Sequence, residues 1–174
     1  VTDVLNRFAP DFSLTTLNGG RVSLFDARGQ VAVIVFWSAA CRWSRRADVM
    51  LVYRQLKWAS RGVRLIGVAS NANEAANEMA LEAENRGLKY PIGLDLNGLV
   101  CAQYGAAVTP HFFVVDRAGL VCYSGAGDDA TEERPRPTEL FLDQAISAVL
   151  DNQPIPVAHT APYGCPIVRV KTPA

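Results

Sequence analysis

Several things are scarce in this chain, and each scarcity removes a class of function. Long apolar runs are missing: the longest, Val31–Trp37, stops far short of the roughly 20 residues that cross a bilayer, so no membrane insertion is expected. Charge of one sign is missing too, because 17 basic and 17 acidic side chains cancel; a nucleic-acid or anionic-membrane partner favours a basic surplus. Histidine is confined to His111 and His159. The four cysteines, Cys41, Cys101, Cys122 and Cys165, contain no Cys-x-x-Cys pair, which leaves no metal-ligand spacing and no motif calling for a cofactor. They are also too few for a disulfide-scaffold protein, and sequence does not choose among their three complete pairings. No secretory signal is evident and no internal repeat is visible.

What is present is an ordinary globular composition, 49% apolar and 20% charged over 174 residues, enough for one domain with its own core. Residues 8–24 alternate around Asn18-Gly19-Gly20 and predict a hairpin. Val31–Trp37 is continuously apolar and β-branched, the mark of a strand buried on both faces. A helical pattern over 42–60 ends near Gly62. A second buried strand follows at 63–70, then a helix at 73–86 stopped by Gly87, a short apolar segment at 90–95 and a small helix near 97–104. Residues 111–125 read as strand, turn, strand; 124–137 as a polar surface loop; 138–150 as an amphipathic helix. Beyond Asn152 five prolines (154, 156, 162, 166 and 173) predict an extended tail. This order implies an α/β fold with a central mixed β-sheet and helices on both faces, divided as a domain over 1–151 and a proline-rich tail over 152–174 packed on or near it.

The loop after Val31–Trp37 falls at the carboxyl edge of a central strand, where α/β proteins place their chemistry, and Cys41 lies in it. Thiol chemistry runs through the thiolate, so a reactive cysteine needs its pKa lowered from about 8.5. A helix beginning at residue 42 puts its positive end on Cys41, and Arg42, Arg45 and Arg46 add cations. Cys41 is therefore the candidate nucleophile, with Arg42 or Arg45 assisting; the plain alternative is a packed cysteine beside a solvated arginine face.

The segment "VAVIVFWSAACRWS" resembles the thioredoxin-superfamily element in which a strand ends in Phe-Trp and Cys-x-x-Cys opens a helix. In that register Cys41 takes the first position and Ser44 the second. "VTPHFFVVDRAG" resembles the same superfamily's Thr-Pro element, which implies that Pro110 is cis and lies against Cys41. "APDFSLTTLNGGRVSL" resembles the entry hairpin of the redoxin branch. The series from "DLNGLVCAQYG" to "SGAGDD", with the late "APYGCPI", is similar to a peroxiredoxin-like (AhpC/TSA-like) branch; Ala39-Ala40-Cys41-Arg42 stands where that branch often has Asn-His-Cys-Pro. The resemblance covers about residues 8–150. It implies a thioredoxin-like fold with an N-terminal hairpin, and an oxidoreductase with a monothiol Cys-x-x-Ser site.

Three functions follow from these readings. The first is thiol–disulfide exchange with protein or small-molecule thiols and disulfides: Cys41 attacks, Thr109-Pro110 orients the substrate chain, and Ser44 donates a hydrogen bond to the thiolate. Ser44 cannot resolve a mixed disulfide, so either an external thiol does so or Cys165 does, from a tail in which Gly164 gives freedom and no predicted element fixes the thiol elsewhere. The second is a thiol peroxidase, for which Ser38 fits the required hydroxyl but Ile34 stands where proline belongs. The third is a binding module that kept the scaffold and lost turnover. Trp43 either contacts a partner or packs against the tail. Cys101 and Cys122 read as structural, and His111 as a strand residue directed away from the chemistry. The even cysteine count and the absence of an initiator Met lean toward an extracytoplasmic, periplasmic setting. Oligomeric state is not written in the chain.

Overall fold

In the computed structural model, which describes residues 3–170, β1 (Ser13–Thr15) and β2 (Arg21–Ser23) form the antiparallel N-terminal hairpin. It is shorter than its alternation predicts because residues 16–20 are used in the turn, where the Thr16 N–H donates to the Gly20 carbonyl and Gly19 takes φ 81°. A 3-10 turn at Phe25–Ala27 leads into β3 (Val31–Phe36), α1 (Arg42–Ser60), β4 (Val63–Ala69), α2 (Ala76–Asn85), β5 (Ile92–Leu94) and α3 (Leu99–Tyr104). Then come β6 (Val108–Thr109), β7 (His111–Val115), β8 (Val121–Gly125), α4 (Phe141–Leu150) and β9 (Cys165–Pro166).

The central sheet has the order β5-β4-β3-β7-β8. β3, β4 and β5 run parallel, while β7 and β8 are antiparallel to their neighbours. β3 lies in the middle and every residue in it is buried, which is why its sequence shows no alternation. Val31, Val33 and Val35 face Leu51 and Trp58 of α1 and Leu142 and Ile146 of α4. Ala32, Ile34 and Phe36 face Val100 and Tyr104 of α3, Val22 of the hairpin and Ile167 of the tail. Full burial of such side chains contributes about 1.5–3 kcal/mol each, so the strand that carries Cys41 at its exit is anchored from both sides.

Two segments depart from the sequence reading. α2 begins at Ala76 and not at 73, because residues 71–74 are engaged elsewhere: Ala72 and Asn71 bond Val168 of the tail, and Glu74 bonds the Cys41 loop. α4 begins at Phe141, since the Asp129 carboxylate accepts the N–H groups of Thr138 and Glu139 and holds them in a turn.

The tail is extended and tied down. Thr160 donates its N–H to the Ser124 carbonyl, and Ser124 donates to Ala158, which lays the tail along β8. There Gly125 is pressed so close to Thr160 that a Cβ would collide with it. The chain then crosses to β6 and forms β9, with Thr109 opposite Cys165 and Val108 opposite Pro166.

Candidate active site

Cys41 is the N-cap of α1, in extended conformation. Its sulfur accepts the Ser44 N–H at 3.4 Å, one of the donors a helix start leaves without an internal partner. The thiol donates to the Thr109 carbonyl at 3.0 Å. The side chain is almost wholly buried, 3% exposed. Burial pushes its pKa up, but the nearby Cys165 thiol, the Thr109 hydroxyl and the N–H groups of Ser44 and Cys165 outweigh it. The result is a thiol more acidic than an ordinary cysteine.

Cys165 is the complement. It is partly exposed, and its pKa is raised by burial and by donation to Cys41, while the N–H groups of Trp43 and Arg42 pull the other way. The first turn of α1 therefore holds the Cys41 sulfur on the Ser44 N–H, and Cys165 lies opposite Thr109, whose carbonyl accepts the Cys41 thiol. No disulfide is formed, and all four cysteines are free thiols.

The arginines do something other than expected. Arg42 pairs with Glu132 at 2.9 Å, Arg45 with Glu82 at 3.4 Å and Arg46 with Asp128 at 3.0 Å. Arg42 and Arg45 are about two-thirds exposed, with side-chain accessibilities of 66% and 65%. Their charges are neutralised by carboxylates and screened by solvent, so hydrogen bonds, not cations, lower the Cys41 pKa. Ser44 also differs. It is fully buried, and its hydroxyl accepts the Ser38 N–H at 3.3 Å, so the side chain is turned into the loop and only its backbone N–H serves the sulfur.

The Thr109-Pro110 peptide is cis, and Pro110 lines a small groove with Trp43, Arg46, Phe112, Asp128 and Tyr163. Trp43 packs edge-on against Tyr163 of the tail, ring centres 4.7 Å apart, with the Arg42 guanidinium over its other side. At Gly164 a Cβ would run into the Thr109 carbonyl; only glycine lets the tail lie this close.

His111 is engaged within the sheet. Its Nε2 contacts Ser124 Oγ at 3.0 Å and its ring stacks on Phe113. Burial, and then the nearby His159, push its pKa down to about 4, which keeps the imidazole neutral. Cys101 donates to the Ala106 carbonyl and Cys122 to that of Val114, and burial raises both thiols.

Sequence reasoning missed the residues that hold the loop. The Glu74 carboxylate accepts the Ser38 hydroxyl at 2.7 Å and the Ala40 N–H at 2.6 Å, and Ser38 Oγ accepts the Cys41 N–H at 3.1 Å. From the other side Arg86 donates to the Ala39 carbonyl while bridging to buried Asp48 at 2.9 Å. Asp48 also receives the Trp37 indole N–H. These contacts span 34 to 47 residues for Glu74–Ala40 and Arg86–Ala39, and no local pattern announces them. Among the described residues no cluster of three or more His, Cys, Asp or Glu side chains can hold a metal ion, and no helix is long and apolar enough to cross a membrane.

A mixed sheet of this topology, with a cysteine capping the helix after its central strand and a cis proline beside the sulfur, defines a thioredoxin-fold oxidoreductase. Residues 5–124 match the AhpC/TSA family, and the chain belongs to that family. It is similar to the thiol-disulfide oxidoreductase ResA of Geobacillus kaustophilus, 30% identical over 131 residues that cover 75% of this chain and 74% of the relative. Among solved structures it superposes on a hypothetical protein of Sinorhizobium meliloti with TM-score 0.91 and 25% identity, covering 99% of this chain and 98% of the other. A thiol:disulfide interchange protein of the thioredoxin family from Chlorobium tepidum aligns with TM-score 0.69 and 26% identity over 86% of this chain and 99% of that one.

Proposed function

We propose that the chain is a thiol–disulfide oxidoreductase working through the Cys41–Cys165 pair, with protein or small-molecule thiols and disulfides as substrates. What supports this reading is that Cys165 pairs with Thr109 between β9 and β6 while the Cys41 thiol donates to the Thr109 carbonyl at 3.0 Å, and that each thiol shifts the acidity of the other. In the reaction the Cys41 thiolate attacks one sulfur of a substrate disulfide, forming a mixed disulfide and releasing the other half as a thiolate. Cys165, once deprotonated, attacks the Cys41 sulfur and expels the remaining half. The substrate gains two electrons and the pair becomes a disulfide, to be reduced again by an external thiol. Because resolution is intramolecular it competes well with any thiol in solution.

Entry of the substrate requires residues 163–166 to lift from β6, since the Cys41 side chain is buried where Cys165 lies across from Thr109. In the reduced form the pairing of β9 with β6 and the Tyr163–Trp43 contact hold those residues there. Thr109 and Pro110 then present the backbone edge that the tail vacates, and Trp43 the apolar contact. A ResA-like activity is supported by the relatives' names. The test is reduction of glutathione disulfide and of insulin by three proteins. Wild type turns over, Cys41→Ser is inactive, and Cys165→Ser turns over slowly and accumulates an adduct visible by intact mass. Full turnover by Cys41→Ser would overturn the proposal.

A further inference from the structure

Cys41 and Ser44 form one half of a capping box. In the full motif the N-cap side chain accepts the N–H of the residue three positions on, and a Glu or Gln there reaches back to the N-cap N–H. Here the Cys41 sulfur accepts the Ser44 N–H at 3.4 Å, but the Ser44 hydroxyl is spent on the Ser38 N–H at 3.3 Å. The Cys41 N–H goes instead to Ser38 Oγ at 3.1 Å, and the Ser38 hydroxyl donates to Glu74 Oε1 at 2.7 Å. A serine hydroxyl has one proton and a carboxylate only accepts, so the Ser38 proton is committed to Glu74 and its oxygen to the Cys41 N–H. Glu74 Oε1 also accepts the Ala40 N–H at 2.6 Å, while the Arg86 guanidinium donates to the Ala39 carbonyl. Those two groups belong to one peptide unit, which is thus gripped by an anion on its N–H and a cation on its carbonyl. We infer that Glu74 is a positioning residue for the nucleophile: through Ser38 and the 39–40 peptide it completes the cap from outside the helix and keeps Cys41 on the Ser44 N–H. The inference rests on Cys41 being the nucleophile of the proposed reaction and not on its pairing with Cys165.

Residues 37–41, between the end of β3 and the start of α1, belong to no strand or helix, so side chains must fix their course. Without the Glu74 carboxylate the Ser38 hydroxyl and the Ala40 N–H lose their acceptor, and the 39–40 peptide keeps only Arg86. The sulfur then spends less of its time on the Ser44 N–H. A thiolate loses more by this than a thiol, because hydrogen bonds to an ionised group are roughly twice as strong. The charged and titratable groups around the loop are Glu74 before α2, Arg86 after it with its partners Asp48 and Glu82, and Cys165 of the tail. Arg42, Arg45 and Arg46 are paired with Glu132, Glu82 and Asp128. The sign of the effect identifies its origin. A carboxylate acting on the thiolate by charge alone repels it, so its removal makes Cys41 more acidic. A carboxylate acting through the cap does the reverse, and its removal makes Cys41 less acidic.

The experiment follows iodoacetamide alkylation of Cys41 against pH in the full chain, with the modified site read by peptide mapping. Cys165→Ser is the background. Glu74 also accepts from Asn71 at 3.5 Å, and Asn71 accepts the Val168 N–H at 2.7 Å, so a loosened tail must be kept from acting through the second thiol. Glu74→Ala should move the midpoint upward by about 0.5–1 pH unit, the scale of one helix cap. Glu74→Gln keeps an oxygen acceptor and should restore most of the difference. Ser38→Ala should shift the midpoint the same way, and the double variant should shift it by less than the sum, because both residues act in one relay. Urea unfolding checks that each variant is folded. If Glu74→Ala does not fold, Ser38→Ala carries the test: an upward shift supports the relay and an unmoved midpoint overturns it. In folded Glu74→Ala, a midpoint that stays or moves down overturns the inference. These readouts need no disulfide substrate, so absent exchange activity would overturn the proposed function and leave Glu74's role standing. A Cys41 that resists alkylation at every pH overturns both.

Discussion

Cys41 and Cys122 make an instructive pair. Cys41 is the more deeply buried of the two, yet its thiol is acidified, whereas Cys122 is only half-buried and is pushed up to about 12. Both donate to a backbone carbonyl, Thr109 in one case and Val114 in the other. What separates them is the supply of donors to the sulfur. Cys41 has the first turn of α1, the Thr109 hydroxyl and the Cys165 thiol; Cys122 sits at the bulge where β7 and β8 slip register, with Asp116 adding an unfavourable negative charge. Burial disfavours a thiolate in both places, and only where hydrogen bonds point at the sulfur is it overcome.

The largest effect that would test this contrast is loss of the nucleophile. Cys41→Ser should lower exchange activity by more than about 10³-fold, while Cys122→Ala and Cys101→Ala stay within about twofold. Comparable losses in the last two would erase the distinction. Next in size, Cys165→Ser should slow steady-state turnover by about tenfold or more while preserving the first attack. Removing the Cys165 donor should also raise the Cys41 pKa, moving the midpoint of the iodoacetamide rate–pH curve upward. An unmoved midpoint would show that the helix terminus alone sets the acidity.

A third prediction carries the same logic to a base. His111 has donors and acceptors too few to hold a charge, and its pKa falls from 6.5 to about 4 on folding. The unfolded chain then binds more protons between those values, so stability falls as pH drops from about 6.5 to about 4, by about 3 kcal/mol. Urea unfolding across that range should show the loss, and His111→Phe should flatten the share that this residue contributes. The smallest expected effect is that of Arg45→Ala. Its exposed pair with Glu82 contributes less than about 1 kcal/mol, and the alkylation midpoint of Cys41 should not move. A clear upward movement would restore the cationic account of its reactivity.

The fold was largely readable because its signals are local. The continuous apolar run of β3 and the pattern of α1 over 42–60 mark elements whose limits differ from the observed ones by at most a residue, whereas α2 and α4 begin three residues later than their patterns suggest. The site was readable only where a motif carried it. Cys41 at a helix start and Pro110 beside it are adjacent to recognisable segments. The partners of the arginines are not: Glu82, Asp128 and Glu132 lie 37, 82 and 90 residues away. A cluster of like charges in sequence says nothing about the carboxylates that the fold delivers to it. Glu74 was hidden for the same reason, inside what reads as the first turn of a helix. Ser44 illustrates a subtler limit, since its position was placed correctly but the direction of its hydroxyl depends on Ser38.

The tail's two close approaches have a metric consequence. Thr160 is fixed against Gly125, and Gly164 against Thr109, so the stretch between them works as a ruler whose far end carries the second sulfur. An extended chain advances about 3.3–3.6 Å per residue, and neighbouring side chains point to opposite sides. Adding or deleting one residue between Thr160 and Gly164 would displace Cys165 by more than a sulfur–sulfur bond and turn its side chain away from Cys41. Along this tail the spacing is constrained even where the identity of the intervening side chains is not, and length itself sets where the second sulfur lies.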